Sequence, residues 1–238
     1  NTKIQEGFGP LVQGFVRVPF DDLDAIRKVA AENPDIVAIL VEPIQGESGV
    51  RTAHNGFDYL KDLRDICDQH DWLLMVDEIQ TGNGRTGQYF AYQHAGILPD
   101  VVSTAKGLGN GFPIGSTLVA GKAASLFSPG KHGTTYGGTP LGCAAALATM
   151  DGLLAGAVEN AAIMGQRIRD GFTRELADLG VTVEGAGLML GVVLPKPCTE
   201  LVAIARDAGV LLIVSAENRI RLLPPLVITA AEADELVA

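Results

Sequence analysis

Cysteine is scarce, with Cys67, Cys143 and Cys198 the only three in 238 residues. They are odd in number, widely separated and lack the paired spacing of a metal site, which excludes a disulfide framework and predicts reduced core thiols in a cytoplasmic protein. Positive charge is also in short supply: 18 Lys and Arg against 28 Asp and Glu give a formal charge of -10. That balance excludes a nucleic-acid partner, which needs a clustered basic surface. Long apolar stretches such as DIVAILV from Asp35 and WLLMV from Trp72 are strand-length. Both fall far short of the ~20 residues that span a bilayer, so no membrane partner is expected. His54, His70 and His94 are scattered among polar neighbours with no zinc spacing. GxSxG and P-loop patterns are missing too, which removes the common hydrolase and nucleoside-triphosphatase readings. The opening NTKIQEGFGPLV has no basic-then-apolar leader pattern, and the chain lacks an initiator Met and stops within the helical pattern AAEADELVA. Both ends are expected to be cut.

What remains is a chain with 47% hydrophobic residues, enough to bury a core. Apolar runs alternate with helical patterns: a helix over 22–32, a strand over 36–41, a helix over 57–69 and strands over 72–76 and 101–104. Such alternation predicts an α/β fold with a mainly parallel sheet whose strands are covered on both faces. The unbroken apolar run over 36–41 further predicts a strand inside that sheet. Helices are expected over 139–154 and 160–179, the second ended by Gly180. A boundary near 155 then divides a large domain, 1–155, from a small α+β domain, 156–238. The small domain is expected to hold strands over 190–194, 210–213 and 220–223, and a helix over 200–208.

Three constellations fall at carboxyl ends of apolar strands, where α/β proteins bind ligands. Lys106 closes the run at 101–104 and opens the glycine-rich KGLGNGFPIG, one of only seven lysines in the chain. A desolvated lysine can form a Schiff base with an aldehyde cofactor, whereas an ordinary strand-end lysine is simply solvated; position alone leaves both open. Asp77 ends the run LLMVD. It suits a carboxylate beside a pyridine nitrogen, but also the cap of the following turn. Glu42 and Glu47 flank the turn in VEPIQGESGV, and Arg221 in IRLLPPLV is a candidate partner for Glu47. A fourth segment, HGTTYGGTPLG from His132, offers hydroxyls and glycines that suit a phosphate or a plain capped turn. Gly82 to Gly87, GNGRTG, matches GxGxxG spacing. Five residues part it from the strand, no convincing helix follows, and the next strand ends in Lys106 and not in an acid, so a dinucleotide site is not expected.

EPIQGESGV, DEIQTGNGRTG, AKGLGNGFPIG and HGTTYGGTPLG, in this order and spacing, resemble the class III pyridoxal-phosphate aminotransferases of fold type I, most closely their acetylornithine branch. The resemblance runs the length of the chain. It implies that Lys106 carries pyridoxal 5'-phosphate, Asp77 binds the ring nitrogen, Ile79 packs on the ring, and Gln80 hydrogen-bonds its phenolic oxygen. By the same resemblance, Thr135 binds the phosphate held by the neighbouring subunit of a homodimer with shared sites. Glu47 and Arg221 then form a switch pair. The implied reaction moves the δ-amino group of N-acetylornithine to 2-oxoglutarate, giving N-acetylglutamate 5-semialdehyde and glutamate, a step of arginine biosynthesis. Succinylornithine, ornithine or 4-aminobutyrate are the alternative donors, and a non-catalytic fragment is the alternative of another class. Family members begin with a long region that supplies a phosphate loop, a stacking aromatic and a substrate-binding Arg, none of which is in this chain; a fragment is therefore expected. Ser48 and Thr139 stand where Gly and Asn are common.

Overall fold

A computed structural model describes residues 5–238. The chain divides into two compact units, residues up to 36 and residues 37–238. The first holds helix α1 (Leu23–Glu32), whose N-terminus is capped by Asp22 accepting the Ala25 N–H at 2.8 Å. That bond satisfies one of the amides a helix start leaves without an intrahelical partner. Pro34 follows the extended Asn33, where it cannot continue the helix.

The second unit opens with a four-stranded sheet: β1 (Ala38–Val41), β2 (Leu73–Asp77), β3 (Val101–Thr104) and β4 (Ser116–Val119), in that order. β1, β2 and β3 run parallel, and β4 is antiparallel to β3. Helix α2 (Asp58–His70) makes the crossover from β1 to β2 and buries Tyr59, Leu60, Leu63, Ile66 and Cys67, spaced for one helical face. Its chain reverses at Asp71, in the left-handed region at φ 56°, so that β2 can start two residues later. In β2, Leu74 and Val76 are buried while Leu73, Met75 and Asp77 are half-buried. β3 buries Val101, Val102 and Thr104, side chains from both faces as expected, whereas burial alternates along β2. β1 is corrected from interior to edge, and Leu40 is 60% exposed. An apolar run reports what a strand can bury, not which neighbours this length of chain supplies.

Helices α3 (Pro140–Gly152) and α4 (Val158–Glu175) lie close to the expected spans. Pro140 sits in the first turn of α3, where its missing N–H costs nothing. The wide turn at Leu153–Ala157 between them contains Gly156 at φ 131°, which an L side chain would resist. By length and composition, Pro140–Glu175 is the one helical stretch among the described residues long and apolar enough to cross a membrane, with a mean hydropathy of 1.6 in its most apolar window. Scanning for unbroken apolar runs missed it because alanines and glycines, not a leucine-rich block, carry its hydropathy.

The remainder is an antiparallel sheet of order β5-β6-β8-β7, built from β5 (Thr182–Ala186), β6 (Met189–Val193), β7 (Ile213–Ser215) and β8 (Arg219–Leu222). Helix α5 (Leu201–Asp207) precedes β7, and helix α6 (Ala230–Val237) ends the described chain. This is the small α+β arrangement expected, with β5 added and β7 displaced from 210–213. One core cluster joins Ala161, Met164 and Ile168 of α4 to Leu188, Leu190, Val192, Leu222, Ile228 and Ala233. Each of its large aliphatic side chains contributes roughly 1.5–3 kcal/mol by leaving water. A smaller cluster, Ile44, Val50 and Met189, fastens the loop after β1 to β6. Cys67 and Cys198 are core thiols as expected, but Cys143 is exposed on α3 and that reading of it is corrected.

Candidate active site

Because β1, β2 and β3 are adjacent and parallel, their carboxyl ends deliver Glu42, Asp77 and Lys106 to one edge of the sheet. Burial pushes the Glu42 carboxyl above the usual carboxylate range, an effect opposed by the Gly46 N–H. The charge of Asp77 pushes it the same way as burial, and that of Lys106 opposes it. Asp77 accepts the Ile79 N–H at 3.0 Å through Oδ1, so it does cap its turn. One oxygen bonding a backbone amide leaves a carboxylate a second for a ligand, so the capping and binding readings coexist.

Lys106 stands in a tight turn: the Leu108 N–H bonds the Ala105 carbonyl at 2.9 Å and the Gly109 N–H bonds that of Lys106 at 3.2 Å. Its φ is 42°, a region a side-chain-bearing residue enters at a cost of about 1–3 kcal/mol. Lys106 is exposed, so of the two readings left open by its position this chain by itself shows the solvated one. It opens onto a shallow depression of ≈ 370 Å³ lined by Lys106, Gly111, Phe112, Pro113 and Ile114. Volumes of that size accommodate a small aromatic ligand.

Glu47 and Arg221 come from distant parts of the chain and meet. Arg221 Nη1 lies 3.6 Å from Glu47 Oε1, with the arginine side chain 9% exposed and the glutamate 78%. Gln80 joins them, donating Nε2 to Glu47 at 3.2 Å and accepting Arg221 Nη2 at 3.3 Å. Gly46 permits this approach, since a Cβ there would stand 2.2 Å from Gln80 Oε1. Glu42 holds the same turn by accepting the Gly46 N–H at 3.1 Å. Arg219, the neighbour of Arg221 but one, forms a two-pronged pair with Glu184 at 2.9 and 3.1 Å and donates to the Gly49 and Val50 carbonyls. These bonds tie the Glu47 loop to β8.

Ile79 is half-buried beside this group. Thr135 is not brought to it by any hydrogen bond; it lies in the exposed stretch 130–138. Glu42, named from sequence only as flanking the turn, gains a part in holding it, while Arg219, Glu184 and Asn83 leave no signal in the sequence. Glu78, next to Asp77, is fully buried and accepts Thr81 Oγ1 at 2.5 Å and the Tyr92 N–H at 2.9 Å. Burial pushes its carboxyl up, against those hydrogen bonds.

A strand-end lysine over a depression, with a carboxylate at the end of the next strand, fits an aldehyde cofactor with a ring nitrogen. The pattern of the family described as Aminotransferase class-III matches residues 1–238. The chain belongs to the class III aminotransferase family. Members of this family depend on pyridoxal 5'-phosphate. It is 50% identical to an acetylornithine aminotransferase of Nitrosomonas europaea, across 100% of this chain and 61% of that protein. With acetylornithine aminotransferase 1 of Bordetella bronchiseptica it shares 47%, over 100% of the chain and 61% of the relative. The chain thus spans 61% of the length of these curated relatives. Among solved structures, the ornithine aminotransferase of Toxoplasma gondii superposes with a TM-score of 0.93 at 32% identity, covering 100% of this chain and 57% of that one. The N-acetylornithine aminotransferase of Stenotrophomonas maltophilia gives 0.83 at 37%, covering 95% and 61%.

Proposed function

We propose that this chain carries the cofactor lysine and the substrate switch of an aminotransferase that moves the δ-amino group of N-acetylornithine to 2-oxoglutarate, yielding N-acetylglutamate 5-semialdehyde and glutamate. The observation that carries the reading is the Glu47–Gln80–Arg221 contact at the same sheet edge as Lys106 and Asp77. Pyridoxal 5'-phosphate, when bound, supplies an aldehyde for the lysine and a ring that withdraws electrons from the substrate's amine-bearing carbon. Lys106 Nζ would hold the cofactor and, freed when substrate binds, would take the proton from that carbon and deliver it to the cofactor's C4' carbon. Asp77 keeps the proton on the ring nitrogen, Ile79 packs on the ring face, and Gln80 bonds the phenolic oxygen. Thr135 donates to the phosphate held by the second copy in a homodimer.

Glu47 and Arg221 suit two substrates of different charge in one pocket. The arginine side chain is largely covered, whereas the glutamate is exposed and held at 3.6 Å, a pairing worth no more than about 1 kcal/mol. Paired, they present no net charge to an amine-bearing side chain. When Glu47 swings out, Arg221 meets the carboxylate of 2-oxoglutarate; its Nε, buried without a partner among the described residues, is a further donor for it. We read residues 1–155 as the large domain and 156–238 as the small one, in a cytoplasmic enzyme.

Donor rates for N-acetylornithine, N-succinylornithine, ornithine and 4-aminobutyrate, measured with 2-oxoglutarate on the full-length protein carrying this sequence, test the assignment. N-acetylornithine should give the highest kcat/KM; a higher value for another donor moves the assignment to that branch. Lys106→Ala should remove both turnover and the absorbance band of lysine-bound cofactor. Retention of both would refute the role of Lys106, and no band in the unaltered protein would mark a non-catalytic chain.

A further inference from the structure

Asn83 is the second residue of GNGRTG and has no part in the chemistry above, yet it is only 3% exposed. Its Nδ2 donates to Thr104 Oγ1 at 2.8 Å and to the Ala105 carbonyl at 3.2 Å, the two residues before Lys106. The carbonyl can only accept, which fixes the end of the amide that faces it. On the far side of Lys106, a Cβ at Gly107 would lie 3.2 Å from Asn83 Cβ. One side chain therefore touches the backbone both before and after the lysine.

Asn83 is itself anchored. Arg85, two residues on, donates to the Pro224 and Leu188 carbonyls at 2.6 and 3.2 Å. Gly84 and Gly87 lie close against Val158 and Ala162 of α4. The loop thus runs as a strut from the helical and C-terminal core to the end of β3. Two details separate this from ordinary packing. Asn83 Oδ1 is buried with no partner among the described residues, so the bonds this amide makes are those its Nδ2 gives to the turn before Lys106. Lys106 holds φ 42°, a conformation that persists only where its surroundings over-determine it.

We propose that Asn83 is a positioning residue for Lys106: its amide holds the Thr104–Ala105 turn so that the amine is presented to cofactor and substrate in one orientation. This rests on the reading of Lys106 as the cofactor lysine.

The test uses the full-length protein. Asn83→Leu keeps bulk and removes the donors, with a backbone cost at φ 55° that Tm reads separately; Thr104→Val removes one acceptor, and Thr104→Ser retains it. Three readouts are compared: kcat and KM, the rate at which cofactor-free protein regains the lysine-bound absorbance on mixing with pyridoxal 5'-phosphate, and Tm. Asn83→Leu should lower kcat and slow reconstitution about ten-fold each, with KM within about two-fold, because orientation and not substrate binding is lost. Thr104→Val should move both rates the same way by less, and Thr104→Ser should match the unaltered protein. Unaltered rates in Asn83→Leu overturn the proposal. If that variant does not fold, equal rates for the two Thr104 variants overturn it. Lys106→Ala separates the two claims: loss of the band in it, with Asn83→Leu normal, sinks only the positioning role, while a band that survives sinks the reading beneath it.

Discussion

Gln80 stands between Glu47 and Arg221, bonded to the carboxylate through Nε2 at 3.2 Å and to the guanidinium through Oε1 at 3.3 Å. A neutral amide can do both because it carries a donor and an acceptor on one carbon. It thereby sets how closely the pair closes without contributing charge of its own. Replacing Gln80 with Glu should place a second carboxylate beside Glu47 and give Arg221 a standing partner. The KM for 2-oxoglutarate should rise by about ten-fold or more, since the arginine is then occupied, while the KM for the amino donor changes less. Steady-state kinetics of both half-reactions would check this; equal effects on the two substrates would contradict the switch.

Arg64 and Asp100 tie α2 to the start of β3, with Nη1 2.7 Å from Oδ2 and both side chains largely covered. The same Oδ2 accepts the Leu74 N–H at 2.8 Å, so one carboxylate links a helix and two strands. Burial raises the Asp100 carboxyl, but the bonds from Arg64 and Leu74 and the charges of Arg64 and Lys122 outweigh it, and the net shift is downward. A depressed folded-state value means this stabilisation is complete above the unfolded-state value of about 3.9 and is lost as pH falls through the lower folded-state value. Asp100→Asn should therefore cost about 2–3 kcal/mol at pH 7. The cost should shrink as the pH falls below ~4, where the unaltered protein also loses the charge. Urea unfolding of the two proteins across that range is the measurement, and a gap independent of pH would disprove the assignment.

Burial pushes the Cys67 thiol up to about 11, against the neighbouring Arg64 charge, and its side chain has no exposure. Only the thiolate reacts with disulfide reagents, so Cys67 should be silent in the folded protein at pH 7–8 and titrate fully in urea. Mass-mapped labelling before and after unfolding distinguishes the cases. Fast native labelling of Cys67 would show that α2 opens readily on β2.

Much of the site was legible in the sequence because strands announce themselves as apolar runs and their carboxyl ends are then fixed points. Lys106 and Asp77 could be placed at such ends, and the structure puts both there on neighbouring strands. The short strands β4 and β5 were missed: STLV follows a run of Gly and Pro, and TVEGA is only partly apolar, so neither gives a clear period. GNGRTG belongs to the segments that carry the family resemblance, and only its match to a dinucleotide loop is set aside. Nothing local discloses that its Asn reaches the turn of Lys106, since that depends on two strands lying side by side.

The sequence by itself determined the α/β class and the family, because strand-end chemistry and short glycine-rich turns are local and leave a linear trace. Which strand is an edge, that Lys106 is exposed, and that Glu47 and Arg221 close on Gln80 were decided only by the tertiary structure. Those features arise from burial and from contacts between segments far apart in the chain, where distance along the sequence carries no information about distance in space.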